Sequence, residues 1–140
     1  MKKIIIILLT IFLSGCTISN PLNTKPQITI QEPTNRNIKI DLIKSNQIIE
    51  SPLTITGQAR GGWFFEASFP IKLVDSQGEL VAQTIASTKG EWMTDDFVPF
   101  SATLEFASLE KTNQGTLIFI KDNPSDMREL DDQLSISVLY

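Results

Sequence analysis

The centre of the chain reads Phe69-Pro-Ile-Lys-Leu-Val74, then Asp75-Ser-Gln-Gly78, then Leu80-Val-Ala-Gln-Thr-Ile-Ala86. The first and third segments are rich in the residues that strands favour, and the middle segment has the composition of a turn. Gly78 has no Cβ and can therefore adopt the positive φ that a tight turn between antiparallel strands requires. The stretch predicts a β-hairpin.

Further short β-prone segments lie on both sides of this hairpin. They occupy residues 38–43, 53–56, 103–106, 117–120 and 134–138. The segment at 53–56 is expected to stop at Gly57, and the segment at 117–120 is apolar on both faces, as in a central strand. One short helical turn is expected after Asn123, with Asn123 as its N-cap and Pro124 at its first helical position. Seven or eight strands without a long amphipathic helix predict an all-β fold, an immunoglobulin-like β-sandwich.

Composition excludes several functional classes. The 140 residues include 12 Lys and Arg against 16 Asp and Glu, a net charge of −4 without a long basic run, which argues against nucleic-acid binding. The chain has no His, so it lacks the commonest general base and metal ligand. Its single Cys cannot form a disulfide within the chain. We therefore expect no cofactor, no metal site and no catalytic residue.

The N-terminus has the pattern of an export signal. Lys2-Lys3 precede an apolar run at residues 4–12, and Leu13-Ser-Gly-Cys16 follows, which resembles the lipobox of bacterial lipoprotein precursors. The apolar run is too short for an ordinary bilayer-spanning helix, which needs about 20 residues. The sequence predicts a signal peptide at 1–15, a lipidated Cys16 with a tether at 16–37, and one domain at 38–140.

Lipid on Cys16 would make the membrane the first partner of this protein. A thiol can accept a diacylglycerol group, and two or more acyl chains hold a protein stably on a bilayer. Thr17 favours outer-membrane sorting in a cell with two membranes, so the expected location is the cell membrane or the outer membrane, on the extracytoplasmic side. Within the polar tether, Gln27-Ile-Thr-Ile-Gln31 is a β-like island, either an edge strand or extended linker.

Two stretches that mix aromatic and acidic residues are the candidates for function. They lie at residues 61–70 and 90–100. If the first is extended, Trp63, Phe65, Ala67 and Phe69 share one face. The candidate binding surface consists of Trp63, Phe64, Glu66, Trp92, Asp95 and Asp96.

Each of these residues has a plainer explanation. Core packing accounts for the aromatic residues of the first stretch, and a folded loop accounts for Trp92 and Phe97. Glu66 would bond to backbone donors or to Arg60. An acid pair of Glu66 with Glu91, Asp95 or Asp96 is the glycosidase alternative. Asp95-Asp96, or Asp122 with Asp126, could bind calcium through their carboxylate oxygens, but the sequence favours solvent-exposed acids in turns.

A family resemblance covers nearly the whole domain. It rests on Ser51-Pro-Leu-Thr-Ile-Thr-Gly57, Trp63-Phe-Phe-Glu-Ala-Ser-Phe-Pro70, Asp75 to Gly78, Trp92-Met-Thr-Asp-Asp-Phe-Val-Pro-Phe100, Gly115 and Lys121-Asp-Asn-Pro-Ser125. These strings resemble the immunoglobulin-like domain of bacterial spore germination, the GerM-associated type. The resemblance implies an immunoglobulin-like sandwich in the cell envelope. It implies no established catalytic residues and leaves sporulation or germination open as the setting.

The sequence thus favours a non-enzymatic, lipid-anchored binding module. The expected partner is an envelope protein, contacted through loops or an exposed sheet face. Glycan or peptidoglycan binding is the alternative, favoured if Trp63 or Trp92 is exposed, and an acid-pair glycan hydrolase is the less favoured enzymatic reading. A structural spacer at the membrane is a third hypothesis.

Overall fold

The computed structural model describes residues 35–107 and 113–140. The predictions about the signal peptide, Cys16, the island at 27–31 and the tether up to residue 34 lie outside the described residues. The strands are β1 (Ile38–Ile40), β2 (Gln47–Ile48), β3 (Leu53–Arg60), β4 (Ser68–Asp75), β5 (Leu80–Ser87), β6 (Phe97–Leu104), β7 (Gln114–Ile120) and β8 (Gln133–Leu139). Two 3₁₀ turns lie at Gly61–Trp63 and Arg128–Leu130. Within the described ranges, no helix has the length and apolar character needed to span a bilayer.

The eight strands form one curled sheet in the order β1-β3-β6-β5-β4-β7-β8-β2. All neighbours are antiparallel except β2 and β8, which run parallel. A single residue pair, Ser87 with Ser101, joins β5 to β6, so the sheet bends there. The two halves face each other, since Phe69 on β4 and Phe100 on β6 meet with ring centroids 4.9 Å apart. The all-β, immunoglobulin-like prediction is confirmed, in the form of one sheet curled onto itself.

Alternation of side chains places the core between the two halves of the sheet. Strands β3, β4, β6 and β7 bury every second residue, as expected for strands with one face on a core and one in solvent. The fully buried members include Ile55, Phe69, Ile71, Leu73, Leu104, Leu117, Phe119, Ile136 and Val138. The predicted central strand is confirmed, because β7 lies between β4 and β8 and its outward-facing residues are also half-buried.

The predicted hairpin between β4 and β5 is confirmed. The Gly78 N–H donates to the Asp75 carbonyl at 3.1 Å, and Gly78 has φ 86°. The Asp75 carboxylate also accepts from the N–H groups of Gln77 and Glu79, at 2.8 and 2.9 Å. An Asp at the start of the turn therefore supplies acceptors that the turn backbone lacks.

The prediction that the strand ends at Gly57 is wrong. β3 continues through Gly57 to Arg60. A Cβ at Gly57 would collide with the Lys39 carbonyl oxygen on β1 and would lie 2.9 Å from Cζ of Phe100. This glycine lets β1 and an aromatic core residue approach the middle of a strand, which is the other common role of glycine in sheets.

The segment from Trp63 to Phe69 is not extended, so the condition for a common face of Trp63, Phe65, Ala67 and Phe69 is not met. The 3₁₀ turn ends at Trp63, Phe64 is buried, and Phe65 is exposed. Phe65 and Ser68 then pair with each other through two backbone hydrogen bonds of 3.0 Å, which closes a two-residue turn. The expected common face of the four residues therefore does not form.

The two residues of this turn are unusual for their conformation. Glu66 has φ 49° and Ala67 has φ 62°, although two-residue turns with two positive φ angles favour Asn-Gly. A left-handed conformation costs a non-glycine residue about 1–2 kcal/mol. We expect Ala67→Gly to raise the free energy of unfolding by about 1 kcal/mol, measured by urea denaturation.

A matched control is Ala82→Gly in β5, where glycine is expected to lower the free energy of unfolding by about 0.5–1 kcal/mol. Equal losses in both variants would show that the turn at Ala67 is not strained.

The region after Asn123 differs in detail from its prediction. A turn forms there, closed by the Asp126 N–H donating to the Asn123 carbonyl at 3.2 Å. The helical geometry comes later, in the 3₁₀ turn Arg128–Leu130. The Asn123 side-chain amide donates to the Met127 carbonyl at 2.9 Å and so holds the loop ahead of that turn.

A candidate binding groove at the loop end

Three connections meet at one end of the curled sheet. They are the β3–β4 loop (61–67), the β5–β6 loop (88–96) and the β7–β8 loop (121–132), and residues 35–37 lie against them. The Gly61 N–H donates to the Asp96 carbonyl and the Asp122 N–H to the Trp63 carbonyl, both at 3.1 Å. The Asn37 amide donates to the Asp132 carboxylate at 2.8 Å. We call this assembly the loop end.

Two adjoining cavities, each of about 320 Å³, form a groove across the loop end. The first lies between residues 36–37, the 3₁₀ turn at Gly61–Trp63 and the β7–β8 loop. Trp92 and Met93 of the β5–β6 loop line the second. Gly62 and Asp95 line both cavities, which makes them parts of one surface feature. We call it the loop-end groove.

Trp63 connects the groove to the core. Its side chain is 1% exposed and meets the Phe69 ring edge-on, with centroids 6.2 Å apart. Among the described residues, its indole N–H has no acceptor. Buried donors are normally hydrogen-bonded, because an unpaired one forfeits its bond to water. Trp63 is therefore a rigid wall of the groove with an unsatisfied donor.

The other aromatic candidates divide between core and surface. Phe64 is buried and packs edge-on against Phe69 at 5.3 Å. Trp92 is half-buried, packs against the core and lines the second cavity. The expectation of an aromatic surface is therefore corrected for Trp63 and Phe64, which cannot offer ring faces to a sugar. Of the two tryptophans, Trp92 has accessible surface on the groove.

The acidic candidates are exposed, but the structure does not gather them. Asp95 lines both cavities, whereas Glu66 lies in the two-residue turn and lines neither. Arg60 donates from Nη1 to the Asp95 carbonyl at 2.7 Å rather than to Glu66, so the expected Arg60–Glu66 bond is not formed. Asp96 contributes its backbone carbonyl to Gly61. In the part of the chain that the structure describes, no group of three or more acidic, His or Cys residues could hold a metal ion.

Comparison with known families agrees with this architecture. A family model described as the immunoglobulin-like domain of bacterial spore germination matches residues 37–128, more than half of the chain. The chain belongs to this family. No curated protein and no solved structure matches it significantly. The matched range of the germination-type domain includes β1 to β7 and two of the three loops that form the groove. Membership fits a non-catalytic module.

Sequence reasoning missed most of the residues that line the groove of the germination-type domain. Gly62, Met93 and Leu130 line it, and Arg60 closes one side. The pair Gly61-Gly62 was a usable signal, because two adjacent glycines mark backbone that something approaches closely. A Cβ on Gly61 would collide with the carbonyl oxygens of Trp92 and Thr94, whereas a Cβ on Gly62 would meet nothing within 4 Å. Gly61 therefore allows the β5–β6 loop to approach closely, and the absence of a side chain at Gly62 leaves the groove open.

Backbone carbonyls hold two of the cations of the germination-type domain in place. Arg60 bonds to the Asp95 carbonyl and also lies over the Phe97 ring, 4.6 Å from its centroid. Lys121 donates from Nζ to the Leu130 carbonyl at 2.7 Å. The first bond joins the end of β3 to the β5–β6 loop and the second lies within the β7–β8 loop, and neither neutralises a carboxylate. Hydrogen bonds within the domain therefore hold Arg60 and Lys121 on the sides of the groove.

Proposed function

We propose that this protein is a membrane-anchored, non-catalytic module that binds a protein of the bacterial cell envelope through the loop-end groove. The observation that carries the proposal is a preformed groove whose centre, at Gly62, is open. Family membership supports a binding role rather than a reaction, and Glu66 and Glu91, which the glycosidase alternative required, line neither cavity. Lipid on Cys16 would hold the domain on the extracytoplasmic side of the cell membrane or outer membrane.

Exposed apolar side chains favour the loop end over the sheet faces as the contact surface. Of the eight large hydrophobic residues that are exposed in the described ranges, four lie in its loops. They are Phe65, Met93, Met127 and Leu130. Single exposed hydrophobic residues are ordinary, but Met93 and Leu130 line the groove, and exposed apolar side chains at a groove are typical of an interaction site. Methionine suits such a site because its flexible, polarisable side chain adapts to a partner.

Filling the groove tests this proposal. We expect Gly62→Trp to abolish partner contact without lowering the melting temperature, because the new side chain enters open space. A photoreactive residue in place of Met93 should cross-link the otherwise unchanged protein to its envelope partner. The same cross-link should disappear when Gly62→Trp is added.

The matched control is Gln83→Trp, which places the same bulk on an exposed strand position away from the loop end. Its cross-link from Met93 should be unchanged. Persistence of the cross-link in Gly62→Trp would refute the groove as the binding site.

The anchor has its own test. Cys16→Ser removes the thiol that accepts lipid, so we expect the protein to move from the membrane to the soluble fraction and to incorporate no labelled fatty acid. Ser14→Ala keeps a small residue before the cleavage site and should remain lipidated. Membrane retention of the Cys16→Ser protein without acyl label would overturn the anchor.

A glycan is the second candidate ligand, and the position of Trp92 favours it. Half-buried and lining the groove, Trp92 has surface on which a sugar ring can stack. Direct binding of a soluble N-acetylglucosamine oligomer decides between the two ligand classes.

A further inference from the structure

Strand β5 has a free backbone edge. β4 pairs with one side of β5 along the whole strand. On the other side, the described residues supply one pair, Ser87 with Ser101 of β6. Ala82 and Thr84 pair with buried residues of β4 and so face the core, but they are only half-buried because β6 diverges from β5 there. Residues 80–86 therefore have no strand partner on this side within the ranges that the structure describes.

The hydrogen-bond pattern shows which backbone groups face this free edge. The Thr88 N–H donates to the Ala67 carbonyl at 3.0 Å and so continues the ladder between β4 and β5 by one step. Hydrogen-bonded and non-hydrogen-bonded pairs alternate along an antiparallel ladder. Gln83, Ile85 and Ser87 therefore direct their N–H and C=O groups away from β4. Ser87 meets β6 in this direction, whereas Gln83 and Ile85 offer theirs to a further strand.

This edge lacks the features that usually protect an edge strand. Proteins keep such strands short or place Lys or Pro on them, because an open edge pairs with other chains. The two terminal strands of the sheet follow this rule, since β1 has three residues including Lys39 and β2 has two. β5 has eight residues without a charge or a Pro, and Ile85 on it is 58% exposed. The irregular pairing at Val74 lies at the hairpin end and leaves residues 82–87 regular.

A second copy of β5 fits this edge in register. When two β5 strands run antiparallel about a two-fold axis at Gln83, odd-numbered residues meet odd-numbered residues, as their free hydrogen-bonding groups require. A strand of another protein would find no charge on β5 that selects it. A second copy, in contrast, brings the same free groups at the same spacing.

Electrostatics permits this pairing although the domain is acidic. The described residues include 14 acidic and 8 basic side chains, a net charge of −6, which makes most contacts between two copies repulsive. Since β5 is uncharged, the pairing sets no like charges directly opposite each other. Lys72, the neighbour of Gln83 on β4, would lie three strand spacings from its copy, about 14 Å, which exceeds the Debye length at physiological salt.

We propose that β5 pairs with β5 of a second copy, which forms a homodimer with one continuous sheet across its two-fold axis. Gln83 of each copy then exchanges backbone hydrogen bonds with Gln83 of the other. Because the paired strands are antiparallel, the two loop ends point in opposite directions and the dimer carries a loop-end groove at each end. This surface is separate from the groove, and the inference goes beyond the proposed function.

Disulfide formation tests the axis in the full-length protein purified from membranes in detergent. Gln83→Cys should form a disulfide-linked dimer under mild oxidation, because Cα atoms of a hydrogen-bonded antiparallel pair lie about 5.5 Å apart, within reach of a disulfide. Gln58→Cys is the matched control, since Gln58 is exposed on β3 between two partner strands. It should give no linked dimer above the background of the parent protein. Equal linkage from both variants would indicate random encounters and overturn the proposal.

Charge exchange at the axis tests the pairing without a covalent bond. Gln83→Lys sets two ammonium groups across the axis and should raise the dimer dissociation constant by about tenfold or more, measured by sedimentation equilibrium in density-matched detergent. Mixing Gln83→Lys with a differently tagged Gln83→Glu should restore association, seen as co-purification of the two tags. Gln58→Lys should leave the dissociation constant unchanged. Failure of the mixture to associate would contradict the axis at Gln83.

Two further outcomes would refute the dimer. One is a parent protein that stays monomeric at every concentration measured. The other is a Gln83→Cys protein that links to a different envelope protein instead of to itself, which would assign the edge to another partner. In both cases the Met93 cross-link still tests the groove, so the proposed function is judged separately.

Discussion

Gly61→Ala is expected to destabilise the domain by about 3 kcal/mol, the upper end of the usual range for overpacking. A Cβ at this position would collide with the carbonyl oxygens of Trp92 and Thr94, and it would lie 2.9 Å from the Thr94 nitrogen. All three atoms belong to backbone, which cannot move aside as a flexible side chain can. The β5–β6 loop would have to separate from the 3₁₀ turn, which would also break the bond from the Gly61 N–H to Asp96.

Gly62→Ala is the matched control for this prediction. It makes the same chemical change one residue later, where the Cβ meets nothing within 4 Å. We expect its free energy of unfolding to stay within about 0.5 kcal/mol of the parent. Urea denaturation of both variants measures the difference, and equal stabilities would contradict the close approach of the two loops.

Phe69→Ala is expected to lower the free energy of unfolding by about 3–5 kcal/mol. Phe69 is fully buried on β4, and its ring contacts Trp63, Phe64 and Phe100 edge-on at centroid distances of 6.2, 5.3 and 4.9 Å. Removing the ring leaves a cavity among three other rings and loses apolar burial. Because domains of this size are stable by only about 5–15 kcal/mol, the variant should be close to unfolding at room temperature.

Ile85→Ala provides the comparison, because Ile85 lies on the neighbouring strand β5 and is exposed. Its loss should cost less than about 0.5 kcal/mol. Thermal and urea unfolding would give both values. A loss at Phe69 no larger than the loss at Ile85 would mean that the two halves of the sheet do not pack through this ring.

Local chemistry was sufficient where the structure depends on neighbours in sequence. The hairpin at Asp75 to Gly78 was predictable, because an Asp that accepts backbone N–H groups and a glycine with positive φ act within four residues. The alternation of β8 was predictable for the same reason, since period-two burial is written into consecutive residues. The family strings also lie within single strands and loops, and the family is confirmed.

Prediction failed where distant residues decide the conformation. Whether the segment from Trp63 to Phe69 is extended could not be decided from its alternating aromatic residues, because the contact of the β5–β6 loop with Gly61 and the 3₁₀ turn there involve residues far apart in sequence. The left-handed turn at Glu66 and Ala67 has no sequence signal, because neither residue favours positive φ. Gly57 was likewise taken for a strand end. The reason for a glycine there is the Lys39 carbonyl beside it, which belongs to another strand and is not visible in the local sequence.

The candidate site was only partly predictable for a related reason. The sequence candidates were aromatic and acidic residues, namely Trp63, Phe64, Glu66, Trp92, Asp95 and Asp96. Composition does not distinguish residues that line a groove from residues buried in the hydrophobic core. The structure buries Phe64, places Glu66 outside the groove and keeps Trp92 and Asp95 on it. Gly62 and Leu130 carry no chemistry of their own and matter because of what surrounds them.

The amino-acid sequence by itself determined the all-β class, the strand count, the central hairpin and the family, because period-two patterning and turn residues act over short distances. It also carries the lipidation signal at Cys16, which remains a prediction. Only the tertiary structure decided that a groove exists and which residues line it. Three loops and residues 35–37 build it, and their mutual distances are set by contacts between strands far apart in the chain.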